Sequence, residues 1–379
     1  MLKTIRIQNF RSLVDATVEL DPLTVLIGRS GTGKSNFVGA IRFLRDCLNS
    51  RVIRFDAIGG VERTLHVDRP REPLSYDVNF SVTGLEGDFN YHLGFGMVPA
   101  GAGWAYNEQL EYDGKTLFHH AAGRWLTEPS VTPTPPPQPG IMLGAIPGLQ
   151  ESTFAYVALR SGIGCYDFPG NVLSADGTSG QPADNGFADR GGNYLLIAER
   201  ILSDLTKARN WKRIAKGLQA VNRATANLTL NIPTANQLTV ALQLTNRLLT
   251  FDVRQESEGF RRYLAHLLAL YQTPSKQTLL FEHPESGLHP GALESLAHEF
   301  TVCPQDGRGQ VVLVTHSPQL LDLFPPEAIR VVEIQDQVTR IERLALEQFT
   351  SVREGLLRPG ELLTVDPART PGQLDEVPG

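Results

Sequence analysis

Cysteine is scarce in this chain. Three occur in 379 residues, Cys47, Cys165 and Cys303, far apart and outside any CxxC or Cys/His ligand spacing. That excludes a disulfide framework and a zinc motif, and leaves reduced structural thiols of the kind a cytoplasmic protein carries. No run of about 18 apolar residues occurs, so a membrane-spanning helix is not expected. The first residues, Met1-Leu2-Lys3-Thr4-Ile5-Arg6-Ile7, alternate apolar and charged side chains like a strand and lack the apolar stretch of a secretory leader. Positive charge is not in excess either. With 35 Lys+Arg against 41 Asp+Glu the net charge is −6, which argues against a globally basic polyanion binder while allowing a local basic patch. Internal repeats and long heptad runs are missing, so no coiled-coil arm is expected. What is present, 41% hydrophobic and 20% charged residues, suffices for a soluble chain of one large domain or two ordinary ones.

The pattern along the chain predicts an α/β fold. After the alternating start, the apolar run Leu23-Thr24-Val25-Leu26-Ile27 reads as a strand buried on both faces. Phe37, Ile41, Leu44 and Leu48 then recur at helical spacing over 34–48. Residues 1–50 and 273–345 are expected to form a nucleotide-binding core with a mostly parallel sheet. Short alternating segments over 51–127 predict an antiparallel β region. Residues 128–192, rich in Pro and Gly, are expected to be loops, and 193–272 a helical subdomain with a strand-like interruption at 227–253. Residues 346–379 form the C-terminal tail, expected to be flexible from about Arg358.

Residues 28–35 read Gly28-Arg29-Ser30-Gly31-Thr32-Gly33-Lys34-Ser35, a complete GxxxxGK[ST] match set between a buried strand and an amphipathic helix. Such a loop curls so that its backbone N–H groups face phosphate oxygens. Lys34 is expected to reach the β/γ-phosphates and Ser35 to ligate Mg²⁺, with the helix N-terminus adding its positive dipole. The ligands implied are ATP and Mg²⁺.

A second group lies far downstream. The apolar strand Thr278–Phe281 ends in Glu282-His283-Pro284-Glu285, where an acid beside the phosphate loop is suited to hold Mg²⁺. Another apolar run, Val311–Val314, ends in Thr315-His316-Ser317-Pro318, and Ser257-Glu258-Gly259 precedes a helical stretch that Ser257 is suited to cap. Taken with Asn9-Phe10-Arg11-Ser12, Asn36 after the phosphate loop, and Ser286-Gly287-Leu288-His289-Pro290, this order resembles the ABC-type ATPases of the RecF/SMC/OLD group. The likeness is to stand-alone bacterial "AAA family" ATP-binding proteins in particular, over roughly residues 1–345.

The resemblance implies a head that homodimerises around two ATP molecules. Ser257 and Gly259 would be signature contacts made in trans, and Glu282 the Walker B acid on Mg²⁺. His316 would be the switch histidine, residues 286–289 a dimer-contact loop, and Asn9, Arg11 and Asn36 would lie near the nucleotide. Two positions depart from the family pattern. His283 stands where a catalytic acid follows the Walker B residue, with Glu285 close by, and no glutamine between Gln8 and Gln109 can serve as a Q-loop.

Two functions are open on the sequence: an ATPase whose head closure drives action on DNA or RNA or on a separate effector, in anti-phage defence or DNA repair, or an ATP-binding switch with little hydrolysis. About 60 residues follow the THSP motif, too few for the Toprim nuclease of OLD relatives, so a nuclease would come from a partner. A transporter subunit would need an LSGGQ-like signature and the Q-loop. The cationic segment Lys207, Arg209, Lys212, Arg213 and Lys216 reads as a solvated helix face, with a nucleic-acid contact as the alternative.

Overall fold

A computed structural model describes residues 1–97, 104–134, 140–173, 186–204, 208–234, 237–244 and 247–371. Lys207, the middle of the proline-rich stretch (135–139), most of the second polar loop (174–185) and the end of the tail (372–379) lie outside the described residues.

In chain order the elements are β1 (Leu2–Phe10), β2 (Leu13–Glu19), β3 (Leu23–Ile27), α1 (Lys34–Ser50), β4 (Leu74–Ser81), β5 (Asp88–Met97), β6 (Trp104–Tyr112), β7 (Lys115–Ala121) and β8 (Arg124–Thr127). Then come α2 (Gln150–Arg160), β9 (Ile163–Tyr166), α3 (Gly170–Leu173), α4 (Tyr194–Ser203), α5 (Ala208–Leu218), β10 (Thr225–Thr234), β11 (Gln237–Leu244), β12 (Arg247–Asp252) and α6 (Glu258–Tyr271). The last are β13 (Thr278–Glu282), α7 (Pro290–Gln305), β14 (Gln310–Val314), α8 (Pro318–Leu321), β15 (Ile329–Gln335), β16 (Val338–Arg343) and α9 (Leu346–Arg353). They fall into two compact units, one of Met1–Ile163 with Glu327–Glu354 and the residues from Ala368, the other of Gly164–Pro326 with Gly355–Pro367.

In the first unit β3 is buried from Thr24 to Ile27 and pairs parallel to β15. β15 turns back into β16 through Asp336 and Gln337, both in the left-handed region, as a two-residue hairpin of right-handed twist requires. α1 buries Phe37, Ile41, Leu44 and Leu48. Fully burying such side chains is worth about 1.5–3 kcal/mol each, which is what holds the helix that starts at Lys34. A seven-stranded antiparallel sheet, in the order β2-β1-β4-β5-β6-β7-β8, makes up the rest of this unit's β structure. β1 and β2 thus belong to the antiparallel region and not to the nucleotide-binding core expected for residues 1–50. The reason is register: Ile5 and Ile7 face the core opposite Val78 and Tyr76 of β4, continuing that sheet's apolar face.

In the second unit β13 and β14 run parallel, with β9 beside β13, and β10-β11-β12 form a separate antiparallel sheet. Two further expectations fail. Residues 128–192 hold α2 and β9 as well as loops; the buried face of α2 is Ser152, Ala155, Ala158 and Leu159, mostly small residues that give little apolar signal. The stretch expected to be flexible from Arg358 is held down at 369 and 370, where the buried Gln348 of α9 accepts the Arg369 N–H at 2.8 Å and Thr370 Oγ1 donates to Glu333 at 2.6 Å.

Candidate nucleotide-binding site

The phosphate loop leaves β3 and enters α1. Gly28 (φ 153°) and Gly33 (φ 102°) are the positions where glycine is required. A Cβ on Gly28 would overlap the Val332 carbonyl of the neighbouring β15, and one on Gly33 would overlap the Thr339 hydroxyl of β16. α1 starts without a side-chain cap and with no acid in its first turn, so its leading N–H groups are left for an anion. Ser35 is exposed in that first turn. Nothing lies within 4 Å of where a Cβ on Gly31 would be, so the cradle's rim is open. These features fit a triphosphate with Mg²⁺, an ion held by few protein ligands together with phosphate oxygens.

Lys34 is 4% exposed. Its ammonium donates to the carbonyls of Gly28 (2.8 Å) and Arg29 (2.7 Å), folded back onto its own loop. Burial lowers its pKa from 10.5 to about 8. Two carbonyls and, at 3.4 Å, the Thr32 hydroxyl are neutral acceptors and weak compensation for a buried ammonium, and phosphate oxygens would be far better ones.

Below the loop, Asn36 donates to the Ser12 hydroxyl at 2.7 Å and accepts from Arg11 at 3.4 Å. Asn9 does not join them. It is 2% exposed, donates to the Arg69 and Glu72 carbonyls at 3.0 and 2.7 Å, and accepts the His66 N–H at 3.1 Å. Its amide anchors the 66–72 segment and is not available to a nucleotide, contrary to expectation.

The downstream residues are assembled in the second unit. Glu282 pairs in register with Val314, so residues 283–285 and 315–317 leave the carboxyl ends of adjacent parallel strands, where ligands of open α/β sheets bind. His283, at φ 49°, donates its N–H to the Val314 carbonyl at 2.9 Å. Its ring stacks on that of His316, centroids 5.1 Å apart and 11° from parallel. His316 is exposed, which rules out a buried structural histidine. Glu285 Oε1 accepts the His316 N–H at 3.1 Å and lies 3.9 Å from His283 Nδ1. The Glu285 carboxylate raises the His283 pKa. Burial works to raise Glu285 itself, but donors led by His283 outweigh it and hold it below the usual range.

Ser257 caps α6 by accepting the Phe260 N–H at 3.2 Å, and His289 caps α7 by accepting the Gly291 N–H at 3.1 Å. Both ordinary capping roles are therefore filled. The start of α6 also lies on the 286–289 loop. A Cβ on Gly259 would sit 2.8 Å from the Gly287 carbonyl, and Arg262 donates to the Ser286 carbonyl at 3.0 Å while pairing with Glu258 at 2.9 Å. On α5, Trp211, Ile214 and Leu218 are buried, Arg213 pairs with Asp306 at 2.5 Å, and Arg209, Lys212 and Lys216 are exposed.

Residues 1–69 match the family described as "AAA ATPase domain", and residues 180–322 the family "AAA domain, putative AbiEii toxin, Type IV TA system". An OLD nuclease of Thermus scotoductus is 34% identical over 103 residues, 24% of this chain and 20% of that protein, so the match spans about a fifth of that relative. Among solved structures, an Smc head bound to the C-terminal winged-helix domain of ScpA superposes with a TM-score of 0.54, at 11% identity over 92% of this chain and 99% of that one. The Smc head of Pyrococcus furiosus, bound to the C-terminal domain of ScpA, gives 0.52 at 11% over 94% and 99%. At that identity the likeness shows the fold.

The chain is an AAA/ABC-type, RecF/SMC/OLD-like ATPase by similarity, with the fold of an Smc head.

For this head, sequence reasoning missed Ser12 and Thr339 as parts of the phosphate site. Ser12 lies in the quoted 9–12 run but no local pattern joins it to Thr339, because the two meet from positions 327 residues apart. Arg262 has no role in the sequence reading, although an arginine one turn into a capped helix is spaced to reach back past its first turn.

Proposed function

We propose that this head binds ATP with Mg²⁺ and that two copies close over two nucleotides, with slow hydrolysis reopening them. The observation that carries the reading is Lys34, buried on carbonyls within a complete phosphate loop and held only by neutral acceptors. On binding, Lys34 would exchange those carbonyls for β/γ-phosphate oxygens, and Ser35 and Glu282 would hold the ion. When bound, Mg²⁺ would neutralise charge on the triphosphate. Ser257 and Gly259 would meet the γ-phosphate of the partner copy, and His316 would sense it. His283, steadied by Glu285, would orient or deprotonate the attacking water. A γ-phosphate that completes two half-sites favours the closed pair, and its loss removes the differential contact.

The closed pair would act on nucleic acid or gate a separate effector such as a nuclease, in anti-phage defence or DNA repair. Arg209, Lys212 and Lys216 would be the cations nearest a phosphate backbone on α5. Among the described residues no helix is long and apolar enough to cross a membrane, and we place the protein in the cytoplasm.

His283 favours a second reading, an ATP-binding switch with little turnover, because an imidazole replaces the family's acid. Single-turnover phosphate release separates the two. Under the first reading wild type releases phosphate, Lys34→Ala does not, and His283→Glu is faster than wild type by about tenfold, a part of the roughly hundredfold or more that a positioned general base supplies. Lys34-independent release would overturn the site. A His283→Glu rate at or below wild type, with ATP binding intact, would overturn the role given to His283.

A further inference from the structure

Beneath the phosphate loop four hydrogen bonds run in one direction only. Arg11 has no acceptor, so its Nη1 donates to Asn36 Oδ1 at 3.4 Å; this sets the amide, whose Nδ2 donates to Ser12 Oγ at 2.7 Å. At the other end the Thr32 carbonyl has no donor, so Thr339 Oγ1 donates to it at 2.9 Å. With its single proton used there, Thr339 must accept from Ser12 across 2.7 Å. The order is therefore unique: Arg11, Asn36, Ser12, Thr339, Thr32.

The geometry has a consequence for the cradle. In a planar trans peptide the carbonyl and the following N–H point in opposite directions. Drawing the Thr32 carbonyl towards Thr339 turns the Gly33 N–H away from it, to the side on which a phosphate would lie. Thr339 is fully buried, so water cannot stand in for its hydroxyl. Its backbone N–H donates to the Ser12 carbonyl at 2.8 Å, which locks β16 to the β1–β2 turn. Gly33 has no room for a side chain because Thr339 fills it.

We infer that Thr339 is a positioning residue of the phosphate site, aiming the Gly33 N–H through the Thr32–Gly33 peptide, and that Ser12 holds its proton in the direction this requires. The inference rests on reading residues 28–35 as a nucleotide cradle. The test is ATP affinity of the full chain by calorimetry, with thermal melting of the nucleotide-free protein alongside. Thr339→Val keeps the shape and removes the hydroxyl, and should weaken ATP binding about tenfold, the loss expected for one hydrogen bond serving a charged ligand. Thr339→Ser returns the hydroxyl and should bind within about threefold of wild type even if it melts lower, which a purely structural role would not give. Thr339→Val binding within twofold of wild type while Lys34→Ala fails to bind would overturn the inference, as would Thr339→Ser binding no better than Thr339→Val. If Thr339→Val does not fold, Ser12→Ala decides: weaker ATP binding supports the inference and unchanged binding overturns it. If Lys34→Ala binds as tightly as wild type, the cradle reading itself falls and this inference with it.

Discussion

At the scale of single residues, what could be read from the sequence was chemistry carried by adjacent positions. The phosphate loop is legible because its backbone curl, its lysine and its hydroxyl occur within eight consecutive residues. Asn9 was misread for the opposite reason. Its neighbours match a family pattern, but its environment is set by carbonyls at 69 and 72 that no nearby residue announces. Glu108 is a comparable case. It is fully buried on β6, accepting the Tyr91 hydroxyl at 2.8 Å and the Met142 and Leu143 N–H groups at 2.5 and 2.8 Å. Burial dominates and raises its pKa from 4.5 to about 7 despite those donors. A carboxyl whose folded pKa is raised stabilises the protein most when protonated in both states. Its contribution is full below pH 4.5 and is lost as pH rises towards 7. Glu108→Gln should remove this dependence. The wild-type minus variant unfolding free energy should fall by about 3 kcal/mol across that window, measured by urea titration at a series of pH values. A difference that stays flat with pH would show that the carboxyl is ionised in the fold at no cost.

At the scale of elements, periodicity found what is apolar and regular. β3, α1, β13 and β14 are legible because each buries large side chains at a fixed spacing. α2 is not, since Ser152, Ala155 and Ala158 make its buried face. β1 and β2 were legible as strands but not as members of a particular sheet, because alternation specifies a face and not a partner. The packing of α6 on the 286–289 loop was equally hidden, yet it makes a sharp prediction. In Gly259→Ala the new methyl, 2.8 Å from the Gly287 carbonyl, must push the loop away from the helix start. Both segments are proposed to face the partner's nucleotide, and neither belongs to the cradle. ATP affinity of the isolated head should therefore stay within about twofold, while turnover per head falls at least about tenfold at concentrations where wild type pairs. An equal loss of affinity and turnover would mean that the segment belongs to the nucleotide pocket of its own copy.

At the scale of the whole molecule, fold class was legible from the alternation of strands and helices, and the division into units was not. Each unit gathers segments distant in the chain: β15, β16 and α9 complete the first, and the 355–367 stretch completes the second. The phosphate loop belongs to one unit, and Glu282, His316 and Ser257 to the other. In the proposed closed pair the γ-phosphate is the group shared between copies, and it is the group that distinguishes ATP from ADP. A chain with a net charge of −6 also repels its own copy. Pairing should therefore require ATP, fail with ADP, and strengthen as salt screens the repulsion, the reverse of a pairing driven by opposite surface charges. His283→Ala, which should leave ATP bound but unhydrolysed, should raise the paired fraction above wild type. Sedimentation velocity with each nucleotide at two ionic strengths reads all of this at once. Pairing that is equal with ADP, or that weakens as salt is added, would place the driving force in surface contacts outside the nucleotide.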